Sequence, residues 1–205
     1  VRRAVELNPG FREAQALLAE LDENAVAPAA AKGMTQESAK ERIEVLKKQL
    51  EEKADETLTR ELLGLHLLLR QFDEALPLID TLLTLHPEDQ KLLLNRGLVL
   101  SYTANQDPQK MQEARKNLRS AIEAQPDVEG PARLRLAQLD IMVREPDTAA
   151  LLLKGLREEK NSRIDPAQLA QLSGVAMQQK GRLAEAAAFF KEARKELLDR
   201  QAKGQ

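Results

Sequence analysis

The 205-residue chain has no cysteine and no tryptophan, and its aromatic side chains are four phenylalanines and one tyrosine. Without thiols there is no disulfide framework and no thiolate metal site, and the compartment stays open, because cytosolic and periplasmic proteins alike can lack cysteine. Aromatics at 2% against a hydrophobic content of 42% imply a core of Leu, Ala, Ile and Val. Histidine is equally scarce. His66 and His86 stand on successive helical stretches with no further ligand at metal spacing beside them. His66 reads as a half-buried packing or groove residue, and His86, before Pro87, as a favourable helix-terminal one. No glycine-rich phosphate loop or nucleophile elbow is present, so no cofactor, metal or catalytic group is expected. The 31 basic and 33 acidic residues leave a net charge of -2 and are interleaved, so neither nucleic acid nor an anionic membrane is indicated as partner. No apolar run is long enough to span a bilayer, so direct membrane insertion is not expected.

What the chain does have is leucine and alanine at helical spacing, with few β-branched residues, and both composition and periodicity predict an all-α protein. The clearest stretch is Thr59 to Pro87. Leu62, Leu63 and His66 mark one helix, Arg70-Gln71 a very short turn, and Phe72, Ala75, Leu76, Ile79, Leu82 and Leu83 the face of a second helix ending at His86-Pro87. Related units recur at a period near thirty-four residues, with Ala75 and Pro87 echoed by Ala114 and Pro126 and by Ala4 to Pro9.

The order along the chain follows from these units. Residues 1–23 read as a partial repeat and the first helix of the next, residues 24–34 as a loop or hinge, and residues 35–54 as a long helix capped by Thr35. That helix turns Ala39, Ile43, Leu46 and Leu50 inward, and Lys40, Glu44, Lys48 and Glu52 outward on a solvated face. Repeats follow over residues 55–88, over 89–129 with an inserted, protruding loop at YTANQDPQKM, over 130–165 in degenerate form, and over 166–199. Residues 200–205 read as a frayed tail. Asp107-Pro108 and Asp165-Pro166 are N-caps with proline at the first helical position. The chain begins without Met inside an apparent repeat, which reads as a section of a longer protein.

In this pattern the chain resembles the tetratricopeptide repeat (TPR) family. The residues that carry the resemblance are Gly97, Ala114, Leu118, Ala121 and Pro126 with an insertion, and Gly174, Gly181, Leu183, Ala186, Phe190 and Ala193 without one. The Thr59 to Pro87 unit departs from it, with Gly64 one place after the expected small residue, at Leu63, and Leu82 in place of alanine. The degenerate unit departs further, with Arg157 near the alanine position. The resemblance implies a right-handed α-solenoid of antiparallel helix pairs, a TPR-like superhelix, whose first helices line a groove for peptides or partner domains.

Carried over from the family, the groove positions are Thr57, Arg60, Gly64, Leu67 and Leu68, then Lys91, Leu94, Leu98, Ser101 and Tyr102. Further along they are Arg135, Leu139, Met142 and Val143, and then Gln168, Gln171, Val175, Gln178 and Gln179. Their apolar character argues against the Lys, Arg and Asn clamp with which some relatives hold acidic carboxyl termini, and favours an amphipathic helix or an extended apolar segment as partner. Leu67, Leu68, Leu94 and Leu98 have a second reading, as packing between adjacent repeats.

The resemblance therefore implies a non-catalytic protein-interaction scaffold within a larger assembly. A structural spacer, or a recruitment module for an enzyme domain elsewhere in a parent chain, are the alternatives. The phrases LNPG and LHPED resemble bacterial TPR proteins, many of which work in the periplasm and cell envelope in assembly or polysaccharide export.

Overall fold

The computed structural model describes residues 35–104, 107–124, 130–159 and 164–202, so the expectations for residues 1–34 lie outside the described residues. The described residues form helices and no strands. The helices are α1 (Gln36–Glu52), α2 (Glu56–Leu68), α3 (Phe72–Leu85), α4 (Gln90–Thr103), α5 (Pro108–Ala124), α6 (Gly130–Met142), α7 (Pro146–Glu158), α8 (Pro166–Gln179) and α9 (Leu183–Ala202). The chain divides into two compact units, Val1–Lys110 and Met111–Gln205, with the boundary just inside α5.

Aspartates begin four of the helices, Asp107 and Asp165 among them as the sequence predicts. Asp55, Asp89, Asp107 and Asp165 each accept hydrogen bonds from amides of the following turn, satisfying donors that a helix start leaves open, and Thr35 does the same for α1 through the Ser38 amide. Three of the turns inside helix pairs share one geometry. The Gln71 amide donates to the His66 carbonyl at 2.8 Å and the Arg70 amide to Leu67 at 3.0 Å, and the same double closure recurs at Glu145/Arg144 and at Arg182/Gly181. Closing a helix this way needs a left-handed residue, and Arg70, Arg144 and Gly181 have φ of 56°, 60° and 74°.

In the first unit, Ala39, Ile43 and Leu46 of α1 pack with Leu62 and Leu65 of α2. Leu63 and Leu67 of α2 pack with Ala75, Ile79 and Leu82 of α3 and with Leu92 and Val99 of α4. In the second unit, one core joins Leu134, Ala137 and Ile141 of α6, Ala149, Leu153 and Leu156 of α7, and Leu169 and Ala176 of α8. The register of the second helices is now plain. Ala75-Ile79-Leu82, Ala114-Leu118-Ala121 and Ala149-Leu153-Leu156 are all buried, and Ala186-Phe190-Ala193 has the same spacing. In the degenerate repeat the alanine position is therefore held by Leu156 and not Arg157, which stands one residue further round the helix and is exposed.

The first-helix small position is equally regular. Leu63, Ala137 and Gly174 each precede the alanine of their second helix by twelve residues, whereas Gly97 precedes Ala114 by seventeen. The expected protruding loop does not take up this insertion. Tyr102 and Thr103 belong to α4, only residues 104–107 link the helices, and α5 starts six residues before its alanine where α3, α7 and α9 start three before theirs. Most of the insertion is an added turn of α5.

The tail expectation is also revised, because α9 continues through Ala202 and Arg200 donates to the Asp165 carboxylate at 2.8 Å. Gly174 is small for a clear reason: a Cβ there would lie 2.6 Å from the Phe190 ring.

Candidate partner-binding surface

Within each unit, several of the residues expected to line a first-helix groove are buried. Leu67 shares the α2–α3–α4 core, and Leu98 and Leu139 are buried, so these three are repeat packing and not partner contacts. The physical reason is helix geometry. In α2, α4 and α6 burial extends over most of the circumference, because these helices are flanked by neighbours on more than one side. Leu68 is half-buried and packs against the α1–α2 core, and Leu94 is half-buried. Tyr102 lies flat on Phe72, with ring centroids 5.4 Å apart and planes 11° apart. Arg60 is tied to Glu56 at 2.8 Å and to the N-cap Asp89 at 3.4 Å, and Glu56 also meets His86 Nε2 at 2.9 Å. These bonds, His86 foremost and then Arg60, hold the Glu56 carboxyl below the usual carboxylate range. In the second unit Arg135 bonds Gln138, while Met142, Gln171 and Gln178 are exposed, as Lys91 is in the first.

His66 is buried and not half-buried, with Nδ1 2.7 Å from the Gln71 Oε1, which receives its proton. Burial holds the imidazole below its ordinary range, with Gln71 acting in the opposite direction. Among the described residues no group of three His, Asp or Glu is arranged to hold a metal. No described helix is long and apolar enough to cross a membrane.

The well-formed concavity of the second unit lies on another face. It is a trough of about 660 Å³ walled by α7 and by the start of α9, with α8 as its floor. One side of α7 supplies Asp147, Ala150, Leu151, Lys154 and Arg157, at the three- and four-residue steps that keep side chains on one helical face. Met177 and Ser173 form the floor, and Phe189 faces α7 from α9. Each end is braced by charge. Lys180 meets Asp147 at 2.5 Å, and Arg157 donates to both carboxylate oxygens of Glu192 at 2.9 Å while lying 5.0 Å from the Phe189 ring centre. From Asp147 to Arg157 is ten residue steps along the helix, about 15 Å at 1.5 Å per residue. Leu151 stands in this trough at 72% exposure. A sequence signal for it exists in the unbroken apolar run Ala149 to Leu153, which covers more of the circumference than the core face of α7 requires.

Solved structures show which proteins are built this way. Over 93% of this chain and 95% of its own, a MamA protein matches at a TM-score of 0.64 and 18% identity. The fold is of the TPR type. A second MamA structure, MSR-1 C2, matches over 90% of this chain and 98% of its own at a TM-score of 0.65 and 19% identity. A third, from AMB-1, covers 88% of this chain and 92% of its own at 0.65 and 20% identity. No family model matches the sequence, and no curated protein matches it significantly. In TPR terms, the trough lies between two successive second helices and over the first helix that separates them in sequence.

Proposed function

We propose that the chain is a non-catalytic protein-interaction scaffold of the TPR type, and that the α7–α8–α9 trough is a surface through which it holds a partner. The observation that carries this reading is Leu151, a large apolar side chain left open to solvent beside Met177 and Phe189 in a trough braced at both ends by ion pairs. Ion pairs flank the trough at both ends, and a partner's apolar side chains can enter between them beside Leu151. Half-buried Tyr102 and exposed Met142 of the first-helix set lie outside the trough, and the proposal does not need them.

A photo-crosslinking residue at Leu151 tests this in cells of the source organism. The expected result is discrete adducts that vanish when the crosslinker is moved to the exposed Lys116 and when Met177→Glu is added. Identical adduct patterns from both positions overturn the trough as a binding surface.

The setting we favour for this scaffold is a bacterial cell-envelope assembly, on the strength of the phrases LNPG and LHPED. Fractionation of the native protein tests that setting: recovery with periplasm or membrane supports it, and recovery in the cytosol overturns it.

A further inference from the structure

Along α9, Leu183, Phe190 and Leu197 are exposed by 67%, 37% and 51% and spaced seven residues apart, with Leu198 exposed beside them, and Phe190 sets one side of its ring on Gly174 of α8 while the rest stays open. A seven-residue apolar period along a helix is the pattern of a seam with a second helix. The other repeats show what covers this face. Counted from the second-helix alanine, Leu183 occupies the place of Phe72 and Phe190 that of Ile79. Phe72 is covered by Tyr102 of α4, and Ile79 is fully buried in one core with Leu92 and Val99 of α4. In α7 the matching Leu153 is buried in one core with Leu169 and Ala176 of α8. Each of these second helices is therefore covered at this position by a following first helix that runs back along it.

α9 runs past the point at which the other second helices give way to a turn. α3, α5 and α7 end nine or ten residues after their alanine, whereas α9 continues sixteen residues past Ala186 to Ala202. The residues matching the His86 to Asp89 turn are still helical, and the last of them, Arg200, is pinned to Asp165. Charge narrows the occupant. Glu185 and Glu192 are engaged by Arg182 and Arg157, while Lys191, Arg194 and Lys195 are exposed along the flank of the stripe.

We propose that this face docks an amphipathic helix from another polypeptide, antiparallel to α9 and acidic along one flank. Its apolar face repeats that of α4, with a large ring near its C-terminal end over Leu183 and aliphatic residues three and ten places earlier over Phe190 and Leu197. The surface is separate from the trough and does not depend on it.

The test uses the whole chain and a synthetic peptide of residues 89–103 in which Arg96→Glu, seven residues after Asp89 on the same side, supplies the acidic flank. The expected result is saturable binding, read by amide shift changes on α8 and α9, that weakens at least tenfold in a Leu183→Glu/Leu197→Glu variant. Both sites are solvent-exposed, so circular dichroism is expected to show an unchanged fold. Leu151→Glu, in the trough, is expected to leave the affinity unchanged. No shift change at 1 mM peptide overturns the proposal. A wild-type chain that dimerises alone, with the double variant monomeric, also overturns it, because a second copy then holds the face.

Discussion

At Gly174 a single missing methyl group decides the packing. The Phe190 ring fills the space a Cβ would need, so Gly174→Ala forces the ring outward and is expected to lower stability by about 1–2 kcal/mol in urea unfolding. In a Phe190→Ala background the clash is gone and the helix preference of alanine remains, so the same change should stabilise by about 1 kcal/mol. His66 offers a second test. Its folded-state pKa is lowered by burial, so the unfolded chain binds the proton more tightly. Its contribution is therefore complete above the unfolded value, near 6.5, and is lost as pH falls through that value toward the folded one. The urea midpoint should drop between pH 7.5 and 5.5, and His66→Gln should flatten that drop. An unchanged slope would remove His66 as its cause.

Among elements, the α5–α6 contact rests on a charge cluster that nothing in the sequence pattern revealed. Arg115 donates to the fully buried Asp140 at 2.7 Å and to Glu145 in the following turn, with Arg119 3.5 Å from Asp140. Removing one partner strands the other, so Arg115→Ala is expected to cost about 3–5 kcal/mol, while Arg115→Met with Asp140→Leu should cost far less. A double-mutant cycle measures the difference. The left-handed turns supply a milder case. Arg144 adopts at φ 60° what Gly181 adopts at 74°, so Arg144→Gly should stabilise by about 0.5–1 kcal/mol and Gly181→Ala should destabilise by a similar amount.

These elements also show how far the sequence could be read. The helices, the Asp caps and the inward faces of α1 and α3 were legible, because capping and amphipathic spacing are local properties. The groove was not. Whether Leu67 or Leu139 meets a partner or a neighbouring repeat depends on how many helices flank it, and periodicity along one helix does not record that. Arg115 and Asp140 are twenty-five residues apart and each looks like an ordinary surface charge until the helices are packed. Leu151 was hidden for the opposite reason, since one more leucine in an apolar run looks like core.

For the whole molecule, contacts within each unit join helices close in sequence, the mark of a repeat protein whose stability is a sum of local terms. Leu82→Ala, at a fully buried site of the first unit, is expected to cost about 2–5 kcal/mol. Hydrogen exchange should rise across α2 to α4 and stay unchanged in α8 and α9. Uniform loss of protection along the chain would show instead that the two units unfold together.

The twelve-residue interval from small residue to alanine holds in three repeats, and the one longer interval is absorbed mostly as a helical turn. For protein engineering this ranks the chain's joints. Reporter peptides or affinity tags belong at the Glu88 and Glu159 linkers between repeats, where spacing already varies. A tag spliced in beside Arg70, Arg144 or Gly181 would break a fixed interval and shift every knob of the following helix out of its hole.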